Sequence, residues 1–215
     1  MSSQSDKAFH VPANIRNIIF DLGGVFINLD NSLTEKSFRD LGAKDFSKYF
    51  GHGFAASFFI DYELGKISDH QFLSALRTLL GKPVPDPELI QAWNELLLDF
   101  PRERMDLLRQ LRKKYRLFLF SNTNALHLEA LRKIFSKSFP GESLEDYFEK
   151  TYYSHLLQLR KPEKESYVYI IRENELDPFC TLFVDDARVN VEGAIAAGLQ
   201  GHYLEKGQTV THMRW

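Results

Sequence analysis

The stretch Ile18-Ile19-Phe20-Asp21-Leu22-Gly23-Gly24-Val25 decides the fold. The apolar run from Ile15 to Phe20, broken by Arg16 and Asn17, has the make-up of a buried strand. It stops at Asp21, and glycines follow at 23 and 24. A carboxylate therefore stands at the carboxyl end of a strand, beside backbone that carries no side chain. Glycine permits a tight turn and a close approach to a ligand. In open parallel sheets this edge is where ligands bind.

Working outward, the α/β pattern recurs after a long interval. Strands are expected at Tyr115–Phe120, Lys150–Tyr153, Cys180–Val184 and Gly201–Leu204. Amphipathic helices are expected at Arg102–Lys114, Ala125–Phe135, Glu163–Asn174 and Val189–Ala197, the last closed by Gly198. Strands alternating with helices of this length imply a three-layer α/β fold with a parallel, Rossmann-like sheet. Between the first two strands, about Asp30 to Phe100, the periodicity is helical and no strand-like alternation interrupts it. Asn31 or Ser32 would cap its first helix, and Leu33, Phe38 and Leu41 form a stripe. Phe54, Phe58, Phe59 and Tyr62 begin a second helix. Ser68 caps a third, and a fourth runs from Glu88 to Leu98. The expected division is a catalytic core over 13–29 and 101–215 with an inserted helical subdomain over 30–100. Met1 to Pro12 reads as a frayed tail.

The chain has 215 residues, 44% of them hydrophobic, which is ample for a core. A formal net charge of -2 gives no electrostatic reason to expect nucleic acid or an anionic membrane as partner. The polar N-terminus lacks a signal-peptide core, and no apolar run is long enough to span a membrane. A cytoplasmic monomer is expected. Cys180, the sole cysteine, is read as an inert thiol of the fourth strand.

The strand ends bring together Asp21, Ser121-Asn122 and Asp185-Asp186, with Lys161 near the same edge. Adjacent carboxylates repel unless a cation or shared proton relieves them. A hard divalent ion is the natural relief, and Mg²⁺ is the usual choice where phosphate is handled. Ser121 and Asn122 can donate to phosphoryl oxygens, and Lys161 can screen phosphate and carboxylate alike. Phosphoryl transfer needs such positioning and neutralisation above all.

This set resembles the haloacid dehalogenase-like hydrolase superfamily. The resemblance rests on Phe-Asp-Leu-Gly-Gly-Val at 20–25, Ser-Asn at 121–122, Arg-Lys-Pro at 160–162, and Val-Asp-Asp at 184–186 with Asn190 and Gly193-Ala194 after it. Ser-Asn-Thr-Asn and Leu-Arg-Lys-Pro-Glu look most like the bacterial sugar-phosphate phosphatases, glucose-1-phosphate phosphatases among them. The resemblance implies hydrolysis of a small phosphate monoester, a sugar phosphate by preference, with Mg²⁺ and through an aspartyl-phosphate. It makes Asp21 the nucleophile and a metal ligand, and the backbone carbonyl of Gly23 a second ligand. Asp186 is the expected direct ligand of the last motif, with Asp185 acting through water or the two roles reversed. Ser121, Asn122 and Lys161 would bind phosphate, and the helical insert would be the cap.

One departure stands out. Phosphatases of the superfamily usually carry an acid two residues after the nucleophile, where this chain has Gly23. General acid-base help is typically worth about 10²–10⁴-fold. A good leaving group would need it less, and water, Asp30 or His127 are the groups left to serve. Two other readings follow from the same departure: a 2-haloacid dehalogenase, against which Asp185-Asp186 argues, and a binding or regulatory protein on the same fold. His52 and Glu63 are further candidates for polar contact with substrate. The aromatics at 54, 58, 59 and 62 fit either the cap's core or its pocket.

Overall fold

The computed structural model describes residues 9–43, 46, 50–51 and 54–215. Its centre is a five-stranded parallel sheet in the order β5-β4-β1-β6-β7. These strands are β1 (Asn17–Phe20), β4 (Arg116–Ser121), β5 (Lys150–Tyr153), β6 (Thr181–Asp185) and β7 (Gln200–Tyr203). Strand β1 lies in the middle, with Ile18 opposite Leu117 on one side and Leu182 on the other. The expected strands are present, displaced by a residue or two at their ends.

Alternation along each strand feeds two faces. Ile18, Phe20, Leu117, Leu119, Leu182 and Val184 join one buried cluster. Ile19, Phe118, Phe120 and Phe183 join another. Helices cover both faces: α5 (Arg102–Leu111), α6 (Ala125–Ser138), α8 (Lys164–Glu173) and α9 (Arg188–Ala196). A short helix, α7 (Ser154–Leu157), follows β5 directly.

Between β1 and α5 lie α1 (Asn31–Asp40), α2 (Ser57–Glu63), α3 (Asp69–Leu80) and α4 (Asp86–Asn94). They share a third buried cluster built from Phe38, Phe59, Tyr62, Phe72, Leu76 and Trp93. The expectation of uninterrupted helix fails here. A two-residue antiparallel ribbon, β2 (Phe50–Gly51) with β3 (Phe54–Ala55), precedes α2. A pairing this short leaves no period in the sequence. His52 and the side chain of Phe54 lie outside the described residues.

Local chemistry corrects several expected boundaries. Asp30, not Asn31 or Ser32, caps α1 by accepting from the Ser32 amide at 2.9 Å. A carboxylate one residue earlier does the same work for the first turn. Ser68 does cap α3, with Gln71 completing the capping box. Helix α4 begins earlier than expected because Pro85 and Pro87 flank its first turn. It also ends earlier, because the chain after Asn94 is claimed by another partner. Asp30 N donates to Leu96 O, Leu98 N to Asn28 O and Asn28 N to Asp99 O. The two connections to the helical segment are thus zipped together.

Two further expectations fail. Residues 9–12 are not frayed: Val11 N donates to Arg214 O, and Phe9 stacks on His202 at 3.9 Å. The C-terminal residues offer a backbone edge that the sequence could not reveal. Cys180 ends a 3-10 turn (Pro178–Cys180) rather than opening a strand, and it is only half-buried. No helix among the described residues is long and apolar enough to cross a membrane.

Candidate active site

The site is assembled at the carboxyl ends of β1, β4 and β6. After Phe20 the chain folds back sharply: Gly24 N donates to Ile27 O, and Phe26 N to Leu22 O. Gly24 adopts φ +68°, and a Cβ there would run into the Asp186 carboxylate. Only glycine lets this turn and Asp186 share the space.

Lys161 is the hub. Its side chain is 1% exposed, and Nζ donates to Asp21 Oδ1 at 2.6 Å and to Asp185 Oδ2 at 2.7 Å. Burial alone would lower its pKa, but the two carboxylates outweigh it and the ammonium is held charged. Its backbone is clamped from β4. Asn122 Oδ1 accepts from Lys161 N at 2.9 Å, and Asn122 Nδ2 donates to Lys161 O at 3.0 Å. Asn122 therefore positions Lys161, with one amide proton left for a phosphoryl oxygen. A cis peptide joins Lys161 to Pro162. Gly193 lets α9 press against Pro162 O, where a Cβ would collide.

The carboxylates differ in how far they are committed. Asp185 is fully buried. Its Oδ1 accepts from Ala187 N at 2.7 Å, and its Oδ2 accepts from Asn190 Nδ2 at 3.0 Å as well as from Lys161. Asp186 has no such partners from side chains of the described residues. Asp186 is exposed, but desolvation of its carboxyl group within the site and the Asp185 charge push it up to about 6. Burial pushes Asp21 up to about 7, against the pull of Lys161 and with help from Asp185 and Asp186. Oxygens of Asp21, Asp185 and Asp186 lie within 4.8 Å of one another. Hard oxygen donors held this close, two of them strained by repulsion, fit a divalent cation.

Asp21, Gly23, Ser121, Asn122, Lys161 and Asp186 line one cavity of about 170 Å³. Ser121 is buried at the end of β4. Leu29, Leu96 and Leu97, from the zipped connections, complete the wall and were not singled out in the sequence, while His127, named there as a candidate, comes from the first turn of α6. Apolar residues in a connection carry no chemical signal. The space above Gly23 belongs to Leu29, since a Cβ at 23 would lie 2.8 Å from Leu29 Cδ1.

The remaining candidates fall elsewhere. Asp30 is used as a helix cap and does not line the cavity. Phe59 and Tyr62 belong to the buried cluster of the helical segment, and Phe58 packs against it. Glu63 pairs with Arg160 at 2.9 Å, bridging α2 to the residue before Lys161. His127, named above as a group that could serve in place of the missing acid, is 8% exposed. Burial lowers it to about 3, so the ring is a neutral imidazole at neutral pH and not an imidazolium acid.

Residues 15–198 match the model of the haloacid dehalogenase-like hydrolases. The chain belongs to this family of hydrolases. A D-ribitol-5-phosphate phosphatase from Bacteroides thetaiotaomicron is 32% identical over 194 residues, covering 90% of this chain and 93% of its own. A sesquiterpene phosphatase from Aspergillus oryzae is 27% identical, covering 86% and 88%. Among solved structures, an aspartate-to-alanine variant of a B. thetaiotaomicron HAD family enzyme, in complex with magnesium and inorganic phosphate, superposes with a TM-score of 0.87. It is 34% identical, over 92% of this chain and 98% of that one. The haloacid dehalogenase-like fold and hydrolase assignment expected from the motifs therefore hold.

Proposed function

We propose that this hydrolase is a Mg²⁺-dependent phosphomonoesterase acting on a small sugar or polyol phosphate through an aspartyl-phosphate on Asp21. The observation that carries this is the Asp21–Lys161–Asp185 ion cluster, with the uncommitted Asp186 beside it, at the base of a cavity that also holds Ser121 and Asn122. The phosphatase and magnesium-bound relatives support it.

Asp21, Asp186 and the carbonyl of Gly23 would hold Mg²⁺, with Asp185 acting at one remove. The ion would supply charge neutralisation for phosphate and carboxylate. Lys161 draws the phosphate toward Asp21 and keeps Asp21 oriented. An oxygen of Asp21 bonds to phosphorus as the bond from phosphorus to the leaving oxygen breaks, and the leaving alkoxide takes a proton from solvent. Water then cleaves the acyl-phosphate, releasing inorganic phosphate and restoring Asp21. Ser121 Oγ and the spare amide proton of Asn122 serve the phosphoryl oxygens. Residues 13–29 and 101–215 would act as the catalytic core, with 30–100 as a cap that excludes water.

The test is phosphate release from a panel of sugar and polyol phosphates and nitrophenyl phosphate, with and without Mg²⁺, for the wild type and Asp21→Asn. Mg²⁺-dependent turnover that disappears in the variant supports the reading. Halide release from 2-haloacids without metal, and no phosphate release, overturns it.

A further inference from the structure

The phosphate end of the cavity accounts for Asp21, Lys161 and the other charged groups. Much of the remaining lining is aliphatic: Ile27, Leu29, Leu96, Leu97 and Leu131. His127 is set among these residues, and the structure spends several groups on fixing its ring. Nδ1 lies 2.7 Å from Asn94 Oδ1. An amide oxygen only accepts, so Nδ1 must carry the proton. The ring stacks on Trp93 with centroids 4.6 Å apart and planes 11° from parallel. Asn124 Oδ1 accepts from the His127 backbone N–H at 3.0 Å and from Trp93 Nε1 at 3.4 Å.

One polar atom of the ring is left over. With Nδ1 protonated and the imidazole neutral, Nε2 is a bare acceptor, and no described residue bonds it. Its place in the first turn of α6 disfavours the imidazolium further. The other uncharged polar groups of this wall are different in kind. Asn190 donates to Asp185, and the Thr123 hydroxyl can both donate and accept. A fixed acceptor that cannot donate repels phosphoryl oxygens and attracts hydroxyl protons.

We propose that His127 is a specificity-determining residue whose Nε2 accepts a hydrogen bond from a hydroxyl of the leaving group, selecting polyhydroxylated phosphate esters over their deoxy counterparts. The inference rests on the phosphatase reading above. It gives the aliphatic wall its polar reference point: the carbon chain lies along the leucines and one hydroxyl is held at His127. Asn94, from α4, acts as the positioning residue that sets the tautomer.

The experiment compares kcat/KM for pentitol, pentose and hexose phosphates with kcat/KM for pentyl and hexyl phosphate, in Mg²⁺. It uses the wild type, His127→Phe and His127→Gln. Phenylalanine keeps a ring for Trp93 and removes the acceptor, while glutamine keeps an acceptor. The preference for hydroxylated over alkyl substrates is expected to fall about tenfold in His127→Phe, the worth of one hydrogen bond, and to survive better in His127→Gln. An unchanged preference in His127→Phe, or equal losses in both variants, overturns the proposal. If His127→Phe does not fold by circular dichroism, Asn94→Leu makes the same test, since it frees the tautomer. A preference unaltered there overturns the proposal too. A wild type that releases phosphate from none of these esters overturns the phosphatase reading and the inference with it, a result distinct from turnover without preference.

Discussion

Two polar clusters contribute side chains to the lining of one cavity, Asp21, Lys161 and Asp186 from one and His127 from the other, and they satisfy their polar groups in opposite ways. At the sheet edge, Asp21, Asp185 and Asp186 crowd their carboxyl groups together, and the Lys161 ammonium bridges Asp21 and Asp185. At the junction with α4, His127, Asn94, Trp93 and Asn124 carry no charge and satisfy one another through single hydrogen bonds and stacking. The first arrangement suits binding and transferring an anion. The second suits recognising a neutral alcohol. A site that divides these tasks should fail in two separable ways.

The largest effect is expected from Lys161→Met. It leaves Asp21 and Asp185 buried without their ammonium, which typically costs about 3–5 kcal/mol when one member of such a pair is removed. Turnover should fall at least about 10²–10³-fold, the loss common for a group that stabilises transferring charge. Steady-state phosphate release and urea unfolding of the same preparation check both parts. A variant as active as the wild type would mean that the ion cluster is structural and that chemistry lies elsewhere.

Gly24→Ala should come next. A side chain at φ +68° is strained and meets the Asp186 carboxylate. Mg²⁺ affinity is expected to weaken about 10–100-fold, as when a group orienting a ligand is lost. The expected stability loss is upward of about 1 kcal/mol. Titration of activity with Mg²⁺ separates the two, because saturating metal restores turnover only if affinity was the main loss. Asn94→Leu, which acts on His127 and not on the carboxylates, should leave Mg²⁺ dependence where it was.

This division also explains what could be read in the sequence. Asp21, Ser121, Asn122, Asp185 and Asp186 were legible because each sits at a strand end and the parallel order of the strands brings such ends together; Lys161, in the connection before α8, was legible by its place in the Arg-Lys-Pro motif. Their individual duties were not. That Asn122 clamps the backbone of Lys161 depends on a loop conformation, and the different commitments of Asp185 and Asp186 depend on which oxygen meets which donor. The aliphatic part of the lining, and the setting of His127, were nearly invisible. Leu29 and Leu97 are ordinary leucines until the two connections pair, and His127 is an ordinary helical histidine until α4 delivers Trp93 and Asn94. Contacts between segments that lack a shared period cannot be inferred from either segment alone. Asp30 was legible as a polar turn, but its use as a helix cap was assigned to its neighbours.

A smaller effect concerns metal and pH. Asp21 is raised to about 7 and Asp186 to about 6, so protons compete with a cation for both. Mg²⁺ should therefore bind more weakly at pH 5.5 than at pH 8, by about tenfold or more. Binding near pH 6 should release protons. At a Mg²⁺ concentration about 100 times the Kd at pH 8, linkage gives about 2.7 kcal/mol. The Tm should then rise by several degrees at pH 8 and by clearly less at pH 5.5. Differential scanning fluorimetry with and without Mg²⁺ measures this directly. Equal shifts at both pH values would remove the carboxylates from the metal site.

The smallest expected effect tests the comparison most closely, because the clusters tilt the pH dependence of stability in opposite directions. Asp21 binds a proton more tightly folded than unfolded, its value rising from 3.8 to about 7. Without metal, its contribution therefore favours the folded state as pH falls through that window and is lost as pH rises. His127 falls from 6.5 to about 3 on burial. Between those values the unfolded chain takes up a proton that the folded chain refuses, so stability is lost as pH falls from 6.5 toward 3. The slope is at most about 1.4 kcal/mol per pH unit for one proton. In the metal-free wild type the two trends oppose each other between pH 4 and 6.5. His127→Gln removes one of them, so urea unfolding of the metal-free variant should show stability holding or rising toward pH 5 where the wild type is flatter. With saturating Mg²⁺ the carboxylate trend is suppressed, and the wild type should then lose stability on acidification more steeply than His127→Gln. Identical acid limbs for the two proteins under both conditions would mean that His127 titrates alike in the folded and unfolded chain, and that the second cluster is not the neutral counterpart of the first.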